Sequence, residues 1–116
     1  FIITNEVKED IIKRIESYLE YEFKIIDLRD ISFSAIYKSL KEIIYDLQDT
    51  NITLDITGGK KSMVASASIF GKDYRSRIVY VDFDDYVKEL RKPVPGSEYL
   101  SIVYDPNVDQ PELFIK

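Results

Sequence analysis

The chain has 116 residues, 45% of them hydrophobic, and a formal net charge of −5, which predicts a single domain with its own core. It contains neither cysteine nor histidine, and this excludes disulfide frameworks, thiolate zinc sites, cysteine nucleophiles and histidine-dependent hydrolases. The acidic balance argues against general affinity for polynucleotides, so we expect no direct DNA binding by this domain.

The sequence carries no membrane or export signal. Its apolar runs fall short of the roughly 20 residues that span a bilayer, and no signal-peptide layout opens the chain. We therefore predict a cytoplasmic protein, with any membrane tether supplied by polypeptide outside these residues.

Strand-like and helix-like segments alternate in the first half of the chain. The apolar run 1–4 precedes an amphipathic helix, for which Asn5 is the predicted N-cap. Residues 23–28 are predicted to form the next strand, and Ser32 or Ser34 is expected to cap a second helix. The apolar stripe of this second helix consists of Ile36, Leu40, Ile43, Ile44 and Leu47.

The alternation continues to residue 83. Residues 52–56 are predicted to form a third strand. Residues 60–70 are predicted to form a helix whose small residues suit close packing on a sheet, with Gly71 as its C-cap. Residues 77–83 predict a fourth strand. This order predicts an α/β fold, a Rossmann-like three-layer sandwich with a mainly parallel sheet.

The rhythm changes after Asp84. Residues 86–90 and 99–104 are β-like, and the connection between them, 91–98, contains two prolines and a glycine. We interpret these segments as a C-terminal β-hairpin appendage. Residues 107–116 are predicted to be a tail or linker.

The segment between the third strand and the third helix has the layout of an anion-binding turn. Gly58 and Gly59 let the backbone approach a ligand closely, and the first amides of the next helix point outward with the positive end of its dipole. Lys60 and Lys61 add charge. The spacing matches neither a P-loop nor a dinucleotide fingerprint, and the competing interpretation is a plain strand-to-helix turn with solvated lysines.

Three acidic residues after the fourth strand, Asp82, Asp84 and Asp85, form the most plausible set of metal ligands. Alternation along a strand would put Asp82 and Asp84 on one face. We favour a solvated strand end over a magnesium site, and we predict neither a metal nor a cofactor.

Two motifs in order carry a family resemblance. The turn DITGGKKSM (55–63) is followed by a helix, by the strand 78–82, and then by RKPVPGSE (91–98). Together they resemble the CRISPR-associated Rossmann fold (CARF) family, in which a Thr-Gly-Gly-Thr-Lys-like turn and a later Pro-Gly-x-Glu-like element occur. The resemblance runs from the first helix to about Pro106.

The resemblance departs from the family pattern in two places. Lys60 stands where threonine is frequent, so the turn gains a charge and loses a hydroxyl. The run 1–4 begins as a strand already in progress, and the family's first strand and helix, with its phosphate-facing loop, are expected to be missing before Phe1.

The resemblance implies that residues 1–106 are a sensor for cyclic oligoadenylate, the second messenger of type III CRISPR systems. Cyclic tetra-adenylate is the favoured ring. Such domains are homodimers that bind one ring across the two-fold axis and transmit binding to an effector domain, which residues 107–116 would lead toward in the same longer chain.

The implied ligand-binding residues are the glycine turn with its flanking hydroxyl and lysine residues, and two residues after the first strand: Thr57, Gly58, Gly59, Lys60, Lys61, Ser62, Thr4 and Asn5. Lys61 matches the family's lysine and would be the main charge partner of a phosphate. Glu98 is expected to fix its loop by pairing with Arg91 or Lys92, and an adenine contact is the alternative.

Three alternatives remain open. Some family members cleave the ring without metal or histidine, and Lys61 and Lys60 would then stabilise the developing charge. A generic Rossmann-like module for a mononucleotide is a second possibility, and a transcription regulator without its DNA-binding domain is a third. We predict ligand binding as the primary activity.

Overall fold

Three helices and seven short strands are present in the computed structural model of the chain, which describes residues 1–47 and 51–109. In chain order they are β1 Ile2–Thr4, α1 Glu9–Leu19, β2 Ile25–Asp27, α2 Phe33–Leu47, β3 Thr53–Asp55, α3 Lys61–Asp73, β4 Arg77–Phe83, β5 Tyr86–Val87, β6 Lys92–Pro93 and β7 Glu98–Tyr104. Across these described ranges, every helix is too short or too polar to traverse a bilayer.

The strands form three separate hydrogen-bonded groups within the described residues. β1 pairs with β2 in parallel, β3 pairs with β4 in parallel, and β7 joins the other side of β4 antiparallel, while β5 and β6 form a small antiparallel hairpin. The mixed α/β class is confirmed, and the order of elements up to β4 is the predicted one. The three-layer Rossmann-like sandwich stays a prediction.

The C-terminal appendage differs from the prediction. β5 pairs with β6, whereas β7 runs along β4 from Ile78↔Tyr104 to Phe83↔Glu98. A tight turn closes the hairpin early, since Arg91 has a φ of 50° and its N–H donates to the Lys88 carbonyl at 3.3 Å. β7 is thereby left to pair with β4, which has the same length of seven residues. Of the predicted tail, residues 110–116 lie outside the described residues.

The prediction of Asn5 as a helix cap is wrong. α1 begins at Glu9, with Lys8 at the N-cap and no side-chain capping bond. The reason is a competing local turn, in which Glu6 N–H donates to Thr4 Oγ1 and the Thr4 hydroxyl donates to the Glu6 carbonyl, both at 3.0 Å.

The cap of the second helix is Ser32, one of the two predicted candidates. Ala35 N–H donates to Ser32 Oγ at 3.3 Å, and Ile36 N–H donates to the Ser32 carbonyl at 3.1 Å. Ser34 lies inside α2.

The core lies between α2 and α3. Ile36, Leu40 and Phe70 are buried and form one cluster, against which Ile3 and Leu54 of the strands pack. α1 is different, because it has no buried residue. The apolar face of α1 is therefore only partly covered by the rest of the described chain.

The prediction of Gly71 as a C-cap is wrong, because α3 continues to Asp73 and Tyr74 takes the cap position. The glycine is buried, and a Cβ on it would lie 2.7 Å from Ile78 Cδ1 and 3.4 Å from Leu54 Cδ1. The absence of a side chain at this position lets the helix approach β3 and β4 closely. The left-handed residue after the helix is Arg75, with a φ of 52°.

Gly71→Ala should destabilise the fold. Overpacking costs about 1–3 kcal/mol and better helix propensity returns about 1 kcal/mol, so we expect a net loss of up to about 2 kcal/mol in the free energy of unfolding, measured with urea. Gly58→Ala is the matched control, because a Cβ at Gly58 meets no atom within 4 Å. Equal stability of the two variants would contradict the close-packing explanation.

Candidate functional site

A cavity of about 810 Å³ lies between β1 and β3. Residues 1–6 form one wall and residues 52–56 the other, and the apolar faces of α2 and α3 form the floor. Thr4 and Asn5 line the same cavity as Gly58 and Gly59. The carboxyl ends of two parallel units thus bring these four predicted site residues together, as expected for this class of fold.

The other four predicted site residues lie just outside the cavity. Thr57 precedes the glycines, and Lys60, Lys61 and Ser62 stand at the start of α3. None of them lines the cavity, and all four are exposed. The predicted site is therefore the rim of the cavity together with the adjoining helix end.

The two glycines of the turn serve different purposes. Gly59 has a φ of 96°, a left-handed conformation that other residues rarely adopt. Gly58 has no such restriction, and a Cβ there would project into open space. Gly59 is thus required by the turn itself, whereas the bare backbone at Gly58 leaves room for a molecule at the rim.

Thr57 fastens the turn to the sheet. Its hydroxyl donates to Asp55 Oδ1 at 2.5 Å, and its N–H donates to the same oxygen at 2.9 Å. The Thr57 Oγ1 in turn accepts the Val81 N–H of β4 at 2.8 Å. Its hydroxyl proton is therefore engaged in holding the end of β3 against β4.

The first turn of α3 leaves donors free. Lys60 sits at the N-cap without a side-chain capping bond, and its carbonyl accepts the N–H groups of Met63 and Val64 at 3.0 and 3.1 Å. The N–H groups of Lys61 and Ser62 have no partner anywhere in residues 1–47 and 51–109. Two unpaired backbone donors thus face solvent beside Gly59.

Charge at this helix end opposes the helix dipole. α1 follows the usual rule, with Glu9 and Asp10 in its first turn, but the first turn of α3 contains no acidic residue. Lys60 and Lys61 stand there instead, where a cation is unfavourable by about 0.3–1 kcal/mol. An anion bound at this point would be attracted by the amides, the dipole and both lysines.

Thr4 and Asn5 differ in what they can offer a ligand. The Thr4 hydroxyl is engaged in the turn with Glu6. Asn5 is exposed, and its side chain has no hydrogen bond within the described part of the chain. Asn5 is therefore the residue of the pair with a free amide group at the rim.

One polar cluster was missed by sequence reasoning. Tyr80 and Asp82 share a face of β4, and Tyr99 lies opposite Asp82 on β7. Asp82 Oδ2 accepts the hydroxyls of Tyr80 and Tyr99 at 2.6 and 3.2 Å, and Asp82 Oδ1 accepts the Phe83 N–H at 2.8 Å. The only signal in the sequence was the i, i+2 spacing of Tyr80 and Asp82; the partner strand was needed to complete it.

These bonds change the acidity of the groups. The Tyr80 hydroxyl, and then the Phe83 amide, lower the pKa of Asp82, while the bond to Asp82 raises the pKa of Tyr80 and of Tyr99. No group of three or more acidic residues is positioned to hold a metal within the described residues. Asp82 thus acts as an acceptor that ties β4 to β7.

Glu98 fixes its loop, but not through Arg91 or Lys92. Its Oε2 accepts the Gly96 N–H at 2.9 Å, where Gly96 has a φ of 86°. Residues 91–98 do not line the cavity between β1 and β3. The Pro-Gly-Ser-Glu element is therefore a turn that connects the hairpin to β7.

Comparison with known proteins finds a CRISPR-associated relative. The chain is 33% identical over 87 residues, 71% of its own length, to a protein of Thermus thermophilus described as CRISPR system endoribonuclease Csm6. The aligned part is 19% of that protein, so the chain spans about a fifth of its length. No protein-family model matches the chain. The similarity supports the CRISPR part of the resemblance, and membership of the CARF family stays a prediction.

Thr57→Val should loosen the turn. It removes the hydroxyl that bridges Asp55 and Val81 but keeps the shape, so we expect a loss of about 0.5–1.5 kcal/mol in the free energy of unfolding and faster exchange of the Val81 amide. Thr57→Ser keeps the hydroxyl and should behave as the parent protein in both measurements. Slow exchange of the Val81 amide in the valine variant would argue against the bridge.

Asp82→Asn should change how stability responds to acid. Because the folded-state pKa of Asp82 lies below its ordinary value of 3.8, the carboxylate stabilises the fold above that value and loses this contribution as the pH falls through the lower folded pKa. The variant is expected to be less stable at pH 7, with the difference narrowing below about pH 4. Unfolding in urea from pH 7 to pH 2 measures it, and a difference that does not change with pH would contradict the assignment.

Proposed function

We propose that residues 1–106 bind cyclic oligoadenylate as the sensor domain of a type III CRISPR ancillary protein. The observation that carries the proposal is the start of α3, where two lysines oppose the helix dipole beside two unpaired amides and an open glycine backbone. A single phosphate can accept hydrogen bonds from both amides, pair with the lysine charges and approach the glycine backbone closely. The similarity to the endoribonuclease Csm6 supports the CRISPR setting.

The proposed ligand lies across the rim of the cavity. One phosphate accepts hydrogen bonds from the amides of Lys61 and Ser62 and pairs with the Lys61 ammonium group. The next phosphate of the ring passes over Gly58. The Ser62 hydroxyl is a further donor. The Asn5 amide, with one acceptor and two donors, suits the edge of an adenine or a ribose hydroxyl.

A symmetric ring favours a symmetric protein. A homodimer presents the same lysine–glycine turn twice across its two-fold axis, so one ring can contact two equivalent sites. A ligand that prefers one arrangement of the two protomers shifts the dimer toward it. The effector that receives this change belongs, in the proposal, to the same longer protein.

Calorimetric titration with cyclic tri-, tetra- and hexa-adenylate, together with the mass of the protein in solution, tests the sensor proposal. We expect one ring per two chains, with cyclic tetra-adenylate bound most tightly. Lys61→Ala should weaken binding about 10- to 100-fold, the value of a charge-assisted bond. Lys72→Ala removes the same charge from the last turn of the same helix and should leave affinity unchanged.

A second variant separates ligand approach from folding. Gly58→Ala adds a methyl group that touches no protein atom, so stability should be retained while ring affinity falls. AMP serves as the control ligand. Tight binding of one AMP per chain, or failure of every ring to bind to the full-length protein, would refute the sensor proposal, and the AMP result would favour the mononucleotide module.

Chromatography of the same mixtures distinguishes sensing from ring cleavage. A sensor returns the intact ring after prolonged incubation without metal. Linear products that disappear in Lys60→Ala or Lys61→Ala would instead assign the ring-nuclease alternative to this turn.

A further inference from the structure

A second cavity, of about 460 Å³, lies at the amino ends of β3 and β4, away from the glycine turn. The ends of α2 and α3, the first residues of β3 and β4, and the turn that follows β7 line it. Residues 51–53, with Ile44 and Leu47, belong to the walls of both cavities, but the turn 57–62 does not line this one. The amino ends of the two strands therefore have an opening of their own.

Two arginines give this cavity a net positive charge. Arg75 follows α3 and Arg77 begins β4, while Asp105 is the one acidic residue among the described residues of the lining. Arg75 Nη2 donates to the Pro106 carbonyl at 2.9 Å. Within residues 1–47 and 51–109, the Arg77 side chain has no hydrogen bond, and neither arginine forms an ion pair. Most of the guanidinium donors are thus available to a ligand.

The helix dipole does not account for both arginines. The carboxyl end of a helix favours a cation, and Lys72 already supplies one in the last turn of α3. Arg75 has a φ of 52°, a left-handed position after a helix where glycine is the usual residue. An arginine is therefore present where the backbone favours a residue without a side chain.

Ser76, between the two arginines, is an independent sign of a ligand. It lines the same cavity and is 2% exposed, but its Oγ has no hydrogen-bond partner in the described part of the chain. A buried hydroxyl without a partner destabilises a fold. The other buried serine, Ser66, donates to the Phe33 carbonyl at 2.8 Å. The partner that the Ser76 hydroxyl lacks therefore belongs in the cavity.

We propose that this cavity binds a small polar molecule through an oxyanion group, either a phosphate ester or a carboxylate. The oxyanion accepts hydrogen bonds from the guanidinium groups of Arg75 and Arg77, whose fork geometry matches it, and from the Ser76 hydroxyl. The volume lies within the range of about 300–1,000 Å³ that small-molecule sites occupy. The rest of the molecule lies against the amides of Asn51 and Asn107, which both donate and accept.

Titration with inorganic phosphate and, separately, with succinate tests this site without any cyclic nucleotide, by the NMR shifts of the backbone amides. We expect residues 75–77 to follow one saturable curve, distinct from that of Lys61 and Ser62. Tighter binding of phosphate assigns a phosphate ester, and tighter binding of succinate assigns a carboxylate. A response at the start of α3 alone, or no saturation at 75–77 with either anion, would overturn the proposal, whatever the outcome of the ring titrations.

An arginine variant tests the charge. Arg77→Gln removes the guanidinium group, so affinity for the better-bound anion, measured at residues 75–77, should fall about 10- to 100-fold. The curve at Lys61 and Ser62 should not change. Arg14→Gln is the matched control, because Arg14 is exposed on α1 and lines neither cavity. Equal affinity of the parent protein and Arg77→Gln would contradict the proposal.

Ser76→Ala separates ligand binding from folding. Because the hydroxyl is buried without a partner, its removal should not lower the melting temperature of the protein without an anion. The rise in melting temperature that a fixed concentration of the better-bound anion produces should be smaller in the variant than in the parent. A variant that melts earlier without the anion and gains as much from it as the parent would contradict the assignment of this hydroxyl to the ligand.

Discussion

The position of α3 determines most of what this domain can do. Near its C-terminal end the helix lies so close to the sheet that Gly71 has no room for a side chain against Ile78 and Leu54. Just before its N-terminal end, the Thr57 hydroxyl ties the preceding turn to Asp55 and to the backbone of β4. A helix held in this way at both ends presents its first amides in a fixed direction, to solvent beside Gly59 at the cavity rim.

The cavity between β1 and β3 has a polar rim and an apolar depth. The rim is polar, contains Asn5 and the glycine turn, and stays accessible at the carboxyl ends of the strands. The depth is apolar and is bordered by open strand edges.

Sequence patterns predicted the order of the elements because periodicity and β-propensity are local properties. The limits of β4 were predicted correctly for that reason, and the cap of α2 was one of the two predicted candidates, Ser32 and Ser34. The errors have non-local or competing causes. Asn5 does not cap α1, because Thr4 forms a competing turn with Glu6. The role of Gly71 depends on its contact with Ile78, which the sequence does not reveal. The acceptor role of Asp82 likewise required the register of β7.

The candidate site was partly predictable. Two adjacent glycines and two lysines before a helix are visible in any reading of the chain, and their meeting with Thr4 and Asn5 followed from parallel strands. The sequence did not reveal which of these groups already have hydrogen-bond partners inside the protein. The hydroxyls of Thr57 and Thr4 have partners inside the protein, whereas the amides of Lys61 and Ser62 do not.

The unneutralised charge at the start of α3 also has a consequence for the resting protein. Lys60 and Lys61 repel each other and the helix end at low ionic strength, and small anions in the buffer relieve that repulsion. Phosphate or sulfate would therefore stabilise the empty domain while occupying the same amides that a larger anion needs. The choice of buffer anion sets the baseline from which any affinity of this turn is measured.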